Sequence, residues 1–220
     1  TTGNPKGVML SNENIISNIK DIQTRFPDLK NRTCLNILPW AHIYSQTCEL
    51  YYNVINDNKI ALCSTRENFI KELKEIQPDV LYVVPRVLEL IKSKVDFLDY
   101  SILSLILPLI LKRVFGRHLS IFFVGGAKLQ SSTKEFFTKY GYVICEGYGC
   151  TELSPMVCVN HMENPRNENS IGKLLDSVIV DIIDEEIQVS GPNVMLGYWN
   201  NPEETEKVLV NRDGKTWYKT

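Results

Sequence analysis

The sequence has no apolar run long enough to cross a bilayer. Its longest greasy stretch, Tyr100 to Leu111, carries Pro108 and falls well short of the ~20 residues that a helical span needs. It reads as a buried or interfacial helix and leaves peripheral membrane contact open. Histidine is scarce. His42, His118 and His161 are the whole supply, and none stands at metal-ligand spacing from a cysteine. The six cysteines (34, 48, 63, 145, 150 and 158) include no C-x-x-C pair, and several lie in apolar runs. That argues against a zinc site or a disulfide framework, and for reduced, buried thiols in a cytoplasmic protein. Basic residues form no dense run and the net charge is −2, which speaks against a dedicated nucleic-acid binder. There is no internal repeat and no low-complexity segment. No signal peptide is visible before the first loop. The end, Trp217-Tyr218-Lys219-Thr220, has no closing helix, as expected of a chain cut from something longer.

What is present is an ordinary globular composition over 220 residues, enough for one large domain or two small ones. Ser11 offers an N-cap to a helix whose face carries Ile15, Ile19, Ile22 and Phe26, closed by Pro27-Asp28. Strands are expected at Cys34–Leu38, Lys59–Cys63, Val80–Val84, Ser120–Val124 and Tyr142–Cys145. Helices follow from Phe69, Leu73 and Ile76, from Val87, Leu90, Ile91 and Val95 after a break at Pro85-Arg86, and from Phe136, Phe137 and Tyr140. Ser131 or Ser132 is the expected cap of the last of these, and Gly141 its stop. A further helix-like stretch runs to about Ile55. The alternation predicts an α/β layered fold with a largely parallel sheet and flanking helices over 1–169. A smaller, mostly β segment is expected over 170–220, with Val178–Ile183 and Ile187–Val189 joined by an acidic turn. Gly191-Pro192-Asn193 and Gly197-Tyr198-Trp199 read as loops, and Pro202 opens a short helix.

Three glycine-rich stretches carry the chemistry. In Thr1-Thr2-Gly3-Asn4-Pro5-Lys6-Gly7, small residues expose backbone N–H groups and Lys6 adds charge, which suits a phosphate cradle as well as a flexible turn. It is not a Walker loop, because Lys6 precedes Gly7 rather than following it. Gly125-Gly126-Ala127 leaves a strand end, where open α/β sheets bind ligands. In Glu146-Gly147-Tyr148-Gly149-Cys150-Thr151-Glu152 the glycines are expected to turn the backbone tightly. There Tyr148 offers a flat face, Thr151 a hydroxyl and Glu152 a hard oxygen of the kind Mg²⁺ prefers. A strand-end turn with a surface glutamate reads the same way. His42, beside Trp40, is either a pocket residue or a structural hydrogen-bonder.

Taken in order, these stretches resemble an adenylate-forming enzyme of the acyl-CoA synthetase branch. Thr1 to Val8 resembles the second part of that family's phosphate loop, and Leu38-Pro39-Trp40-Ala41-His42 its L-P-x-x-H segment. Gly125 to Leu129 resembles G-G-A-x-L, Gly147 to Glu152 G-Y-G-x-T-E, and Gly191 to Tyr198 G-P-x-V-M-x-G-Y. Trp217 to Thr220 is similar to the start of W-F/Y-x-T-G-D, and Val84-Pro85-Arg86-Val87 tilts the resemblance toward long-chain fatty acid–CoA ligases. Around Asp184-Glu185-Glu186 a glycine usual in the family is missing.

The resemblance implies the large N-terminal domain of such an enzyme, cut before its C-terminal domain and inactive alone. It implies ATP and coenzyme A as co-substrates, Mg²⁺, and a long-chain fatty acid as substrate. An aryl- or amino-acid-adenylating ligase, or a non-catalytic nucleotide-binding fragment, are the alternatives. By the same resemblance Thr1, Thr2, Gly3 and Lys6 cover the phosphates. Gly125, Gly126, Ala127, Glu146, Gly147, Tyr148 and Gly149 border the nucleotide, and Thr151 meets the α-phosphate. Glu152 would hold the metal, while Trp40, His42 and Gly126 would border the acyl group. Lys6, His42, Thr151 and Glu152 are the implied catalytic set.

Overall fold

The computed structural model describes residues 5–99, 102–162 and 170–220. In chain order the elements begin with β1 (Val8–Met9), α1 (Asn12–Arg25) and β2 (Thr33–Asn36). A π-helical segment (Tyr44–Tyr51) then continues into α2 (Tyr52–Ile55), followed by β3 (Lys59–Leu62), α3 (Phe69–Ile76) and β4 (Val80–Val83). After these come α4 (Pro85–Asp99), a 3₁₀ turn (Ile102–Leu105), α5 (Leu107–Phe115), β5 (Ile121–Val124), α6 (Ser131–Lys139) and β6 (Val143–Gly149). A second 3₁₀ turn (Thr151–Leu153) leads to β7 (Met156–Val159), β8 (Lys173–Leu174), β9 (Ile179–Ile183) and β10 (Glu186–Ser190). The chain ends with β11 (Gly197–Tyr198), α7 (Pro202–Val208), β12 (Leu209–Arg212) and β13 (Lys215–Lys219).

The large sheet has the order β3-β2-β4-β5-β6-β7-β8. From β3 to β6 all pairings are parallel, and β7 and β8 are added antiparallel. Its central strands are buried on both faces, which is why they read as unbroken apolar runs. Alternation assigns the faces. Val80, Tyr82, Ile121, Phe123 and Cys145 pack on one side with Ile19, Ile22 and Phe26 of α1. Leu81, Val83, Phe122, Val124 and Ile144 pack on the other with Leu73, Leu88, Leu111, Phe115 and Phe137. A four-stranded antiparallel sheet, β12-β13-β10-β9, lies within 170–220, while β8 joins the large sheet and β11 pairs with β1.

Several expectations need correction. The α6 N-cap is Gln130, with no side-chain cap, so neither Ser131 nor Ser132 caps it. Pro85 ends the β4 run as expected and itself opens α4, since a first-turn proline has no N–H to lose. On α4 it is Leu88 that is fully buried, and Leu90 is 45% exposed. Gly197-Tyr198 is a strand, and Met156–Val159 is another that the sequence did not announce. The β9–β10 turn is made without a glycine: Asp184 and Glu185 both take positive φ, 50° and 65°, a conformation that aspartate tolerates and glutamate rarely adopts. Of the Tyr100–Leu111 stretch, the described part splits into the first 3₁₀ turn and α5. Leu107 and Leu111 are fully buried, while Leu105 and Leu109 are 79% and 68% exposed. Among the described residues no helix is long and apolar enough to cross a membrane.

Helix α1 is bound to the rest by amides as well as by its apolar face. Ser11 and Asn14 form a reciprocal cap, and Asn14 Nδ2 also donates to the carbonyls of Pro192 (2.7 Å) and Val194 (2.9 Å). Asn18, fully buried, donates to the Met156 carbonyl (2.8 Å) and accepts the Met156 N–H (3.3 Å). Asn193 donates to the carbonyls of Leu153 (3.0 Å) and Met156 (3.3 Å). Replacing Asn18 by leucine keeps the branched shape, with somewhat more bulk, and takes away the acceptor that the Met156 N–H meets. Asn18→Leu is therefore expected to destabilise the protein by about 1–3 kcal/mol, read as a lower denaturant midpoint with an unchanged m-value.

Candidate active site

One cleft, of about 890 Å³, gathers most of the sequence-predicted residues. It opens where β5 and β6 end. Val124 hands over to Gly125 and Gly126, and Gly126 has a φ of +84° that other residues rarely adopt. Gly125 lies against Tyr44, whose ring a Cβ would approach to 3.0 Å. Tyr44 is fixed by donating its hydroxyl hydrogen to the Phe123 carbonyl (2.9 Å).

The Glu146–Glu152 stretch is not a turn at its glycines. Strand β6 runs on through Gly149 and changes partner midway. It pairs with β5 as far as Glu146, and with β7 from Gly147 onward. A Cβ on Gly149 would fall 1.8 Å from the Pro155 carbonyl oxygen, so its glycine is required by the β6–β7 approach. The chain then enters the second 3₁₀ turn, which sets Thr151 and Glu152 on the cleft wall.

Glu152 Oε1 accepts a hydrogen bond from the Tyr198 hydroxyl (2.8 Å). Burial, and then the Glu152 carboxylate, push Tyr198 up to about 12. Burial and the same carboxylate push Cys150 up to about 12, and burial with Cys150 and Glu152 raises Tyr218 as well. These neighbours are neutral at ordinary pH, and among the described residues no cation is paired with Glu152. Lys6, partly exposed, pairs with Glu204 Oε2 (3.1 Å) and lies 4.7 Å above the Tyr198 ring. His42 is exposed at the cleft and accepts the Tyr44 N–H on Nδ1 (3.3 Å), so the neutral ring carries its proton on Nε2.

The cleft therefore brings together Lys6, His42, Gly125, Gly126, Gly147, Tyr148, Gly149, Thr151 and Glu152. Ala127, Trp40 and Glu146 are not on its wall. Glu146 is held at 2.8 Å by Lys134 of α6, both side chains being nearly buried. Trp40 faces Glu49 instead. Thr1, Thr2 and Gly3 lie outside the described residues. Tyr198, Glu204 and Tyr44 were missed. Tyr198 had a signal in the closing Gly197-Tyr198 pair, whereas Glu204 meets Lys6 only through the fold.

Towards the core the same cleft is walled by Ile22, Phe26, Leu29, Phe123, Met156 and Val159. It thus joins a mouth with a lysine, a carboxylate and bare backbone to an apolar interior. Such a mouth suits an anion and a hard cation, and such an interior suits a hydrocarbon.

Comparison with known proteins gives the family. The chain is 32% identical, over 97% of its length, to a probable 4-coumarate–CoA ligase 1 of Dictyostelium discoideum, of which it covers 39%. It is 30% identical, again over 97%, to a long-chain-fatty-acid–CoA ligase of Bacillus subtilis, covering 38% of that protein. The chain thus spans about two fifths of the length of these relatives. Apo MatB from Rhodopseudomonas palustris superposes with a TM-score of 0.77 at 25% identity, over the whole of this chain and 43% of that one. The family model described as AMP-binding enzyme matches residues 1–199, and by that match the chain belongs to the AMP-binding enzymes, the superfamily of adenylate-forming ligases.

Proposed function

We propose that the protein carrying this chain activates a long-chain fatty acid: it joins the acid to ATP as an acyl-adenylate with release of pyrophosphate, then passes the acyl group to coenzyme A with release of AMP. The observation that carries this reading is the continuity of the cleft, with the polar mouth at Lys6, Thr151 and Glu152 opening onto the apolar wall at Phe26, Leu29 and Phe123. The long-chain-fatty-acid–CoA ligase of B. subtilis supports the same substrate class.

The first step brings a carboxylate up to an anionic triphosphate, so neutralising and aligning charge is the main task. In this reading Lys6 contributes its ammonium to the phosphates and leaves Glu204 to do so. Gly125, Gly126 and Gly147 let the nucleotide approach the backbone, and Tyr148 offers its ring to the base. Thr151 donates its hydroxyl to the α-phosphate. His42 sits at the mouth with Nε2–H directed to the reacting carboxylate. Glu152 fits a magnesium ion as a single carboxylate donor, being a cleft-lining oxygen ligand without a protein cation, and magnesium usually takes one or two carboxylates beside phosphate oxygens. Bound there, the ion would offset phosphate charge.

An aryl acid is the second reading, favoured by the relative described as a probable 4-coumarate–CoA ligase. Pyrophosphate release by the full-length protein with palmitate and with 4-coumarate separates the two. We expect palmitate to be preferred by at least about tenfold in kcat/KM, or ~1.4 kcal/mol. A reversed preference selects the aryl reading.

Two substitutions test the roles at the mouth. Glu152→Gln keeps the volume and removes the charge, and should lower adenylation by roughly a hundredfold with a raised Mg²⁺ requirement, measured as pyrophosphate release against Mg²⁺ concentration. Lys6→Ala should impair adenylation and leave Tm nearly unchanged, because its pair with Glu204 is exposed and holds weakly. A large fall in Tm with normal turnover would make Lys6 structural.

A further inference from the structure

Glu49 is a carboxylate with 0% exposure. It sits in the π-helical segment that follows the Pro39–His42 loop, and no role above uses it. Its Oε2 accepts from Asn36 Nδ2 (2.7 Å), and the same amide donates to the Leu38 carbonyl (2.8 Å), where the loop begins. Its Oε1 is buried without a hydrogen-bond partner, and so is Trp40 Nε1 in the loop itself. The indole lies on the carboxylate's side and favours its charged form, yet the hydrogen bond between them is not closed. Two orphaned polar atoms, one acceptor and one donor, thus face each other across the base of the loop that presents His42. Leaving both unpaired is costly.

We propose that Glu49 positions the Pro39–His42 loop: the ionised carboxylate draws in the Trp40 N–H and fixes His42 at the cleft mouth, and the protonated carboxyl releases it. The inference rests on the reading of that mouth as the place where the acid reacts. A protonated Oε1 has no acceptor to meet and no longer attracts an N–H as strongly, so the two states differ in what they offer Trp40.

Burial pushes Glu49 up to about 7 from its ordinary 4.5, so its charge changes just below and around neutrality. The stability contributed by the neutral form is whole below about 4.5 and is lost as pH rises to about 7. Pairing of the ionised carboxylate with the Trp40 N–H, as proposed, would oppose that loss. The titratable groups facing Glu49 are Cys34 on β2 and Tyr44 and Cys48 on its own helix. Burial raises all three, Cys34 to about 12, and holds them neutral over the same range. Among the described residues no cation is paired with Glu49.

The test uses the full-length protein labelled with 5-fluorotryptophan, the Trp40 resonance being assigned by its loss in Trp40→Phe. We expect its ¹⁹F shift to titrate with a midpoint near 7, and the titration to vanish in Glu49→Gln. A Trp40 resonance that does not titrate, or titrates equally in Glu49→Gln, overturns the proposal. In pyrophosphate release, Glu49→Gln should raise KM for the acid about tenfold, a ~1.4 kcal/mol effect, with KM for ATP unchanged. Should Glu49→Gln fail to fold, Trp40→Phe serves. Its acid KM should no longer improve between pH 6 and 8, and a wild-type profile there overturns the proposal. The fluorine titration requires no turnover. A titrating Trp40 in a protein that ignores fatty acids would refute the assigned substrate and leave the positioning role standing.

Discussion

Buried amides hold the candidate site in place. The backbone between Leu153 and Met156 has to bend away from β6 and return as β7, and inside the core its polar groups have no water to meet. Asn18 and Asn193 meet them instead, taking the Met156 N–H and the carbonyls of Leu153 and Met156, while Ser154 donates back to the Asn193 carbonyl (2.9 Å). Asn14 ties the same helix to Pro192 and Val194. Asn14 and Asn18 are satisfied on both ends, and such an amide specifies one geometry where an apolar contact would tolerate several, while Asn193 is held through its Nδ2 and its carbonyl. Because Glu152 stands one residue before Leu153, its place on the cleft wall follows from this network. The Met195 N–H bonded to the Glu152 carbonyl (2.8 Å) adds a further tether.

The layers were legible in the sequence because local chemistry decided them. Val80–Val83 and Ile121–Val124 are covered on both faces; strands were expected there, at Val80–Val84 and Ser120–Val124, and the alternation of strand and helix gave the parallel sheet. The acidic turn before Glu186 and the Ser11 cap were legible for the same reason. What escaped was set by distant partners. Gly147 and Gly149 were read as turn residues, but both lie in the extended β6 beside β7, and the Pro155 carbonyl just before β7 occupies the space a side chain on Gly149 would fill. Strand β1 exists only because Gly197-Tyr198 lies beside it. The face of α1 was read as isoleucines, although Asn14 and Asn18 are buried with Ile19 and Ile22, because an amide inside a helix looks solvent-facing until its receptors are placed.

The site was legible to a different depth. Motif order brought Lys6, His42, Gly125, Gly126, Tyr148, Thr151 and Glu152 to one cleft. Trp40 and Glu146 carried the same motif-level signal and yet point elsewhere, one to Glu49 and the other to Lys134. A motif assigns a loop to a site, and the rotamer is then chosen by whichever buried group needs a partner. Tyr198 shows the converse. It reaches the centre of the site because a carboxylate and an ammonium both find it, through its hydroxyl and its ring.

Two lysine–glutamate pairs show how burial divides roles that a charge count leaves equal. Lys134 and Glu146 are 2.8 Å apart and almost wholly shielded. Separating them would leave charges in the core at a cost of several kcal/mol, so that pair is fixed. Its place is structural, since Glu146 is the residue at which β6 exchanges β5 for β7. Lys6 and Glu204 are 3.1 Å apart but roughly one third exposed, and Glu204 also pairs with Lys207. An exposed pair of this kind holds its partners weakly, and Glu204 keeps a cation when Lys6 leaves. An anion with more than one charge entering the mouth therefore competes only with a weak contact. Of the two lysines, Lys6 is the one that loses least by leaving its present partner.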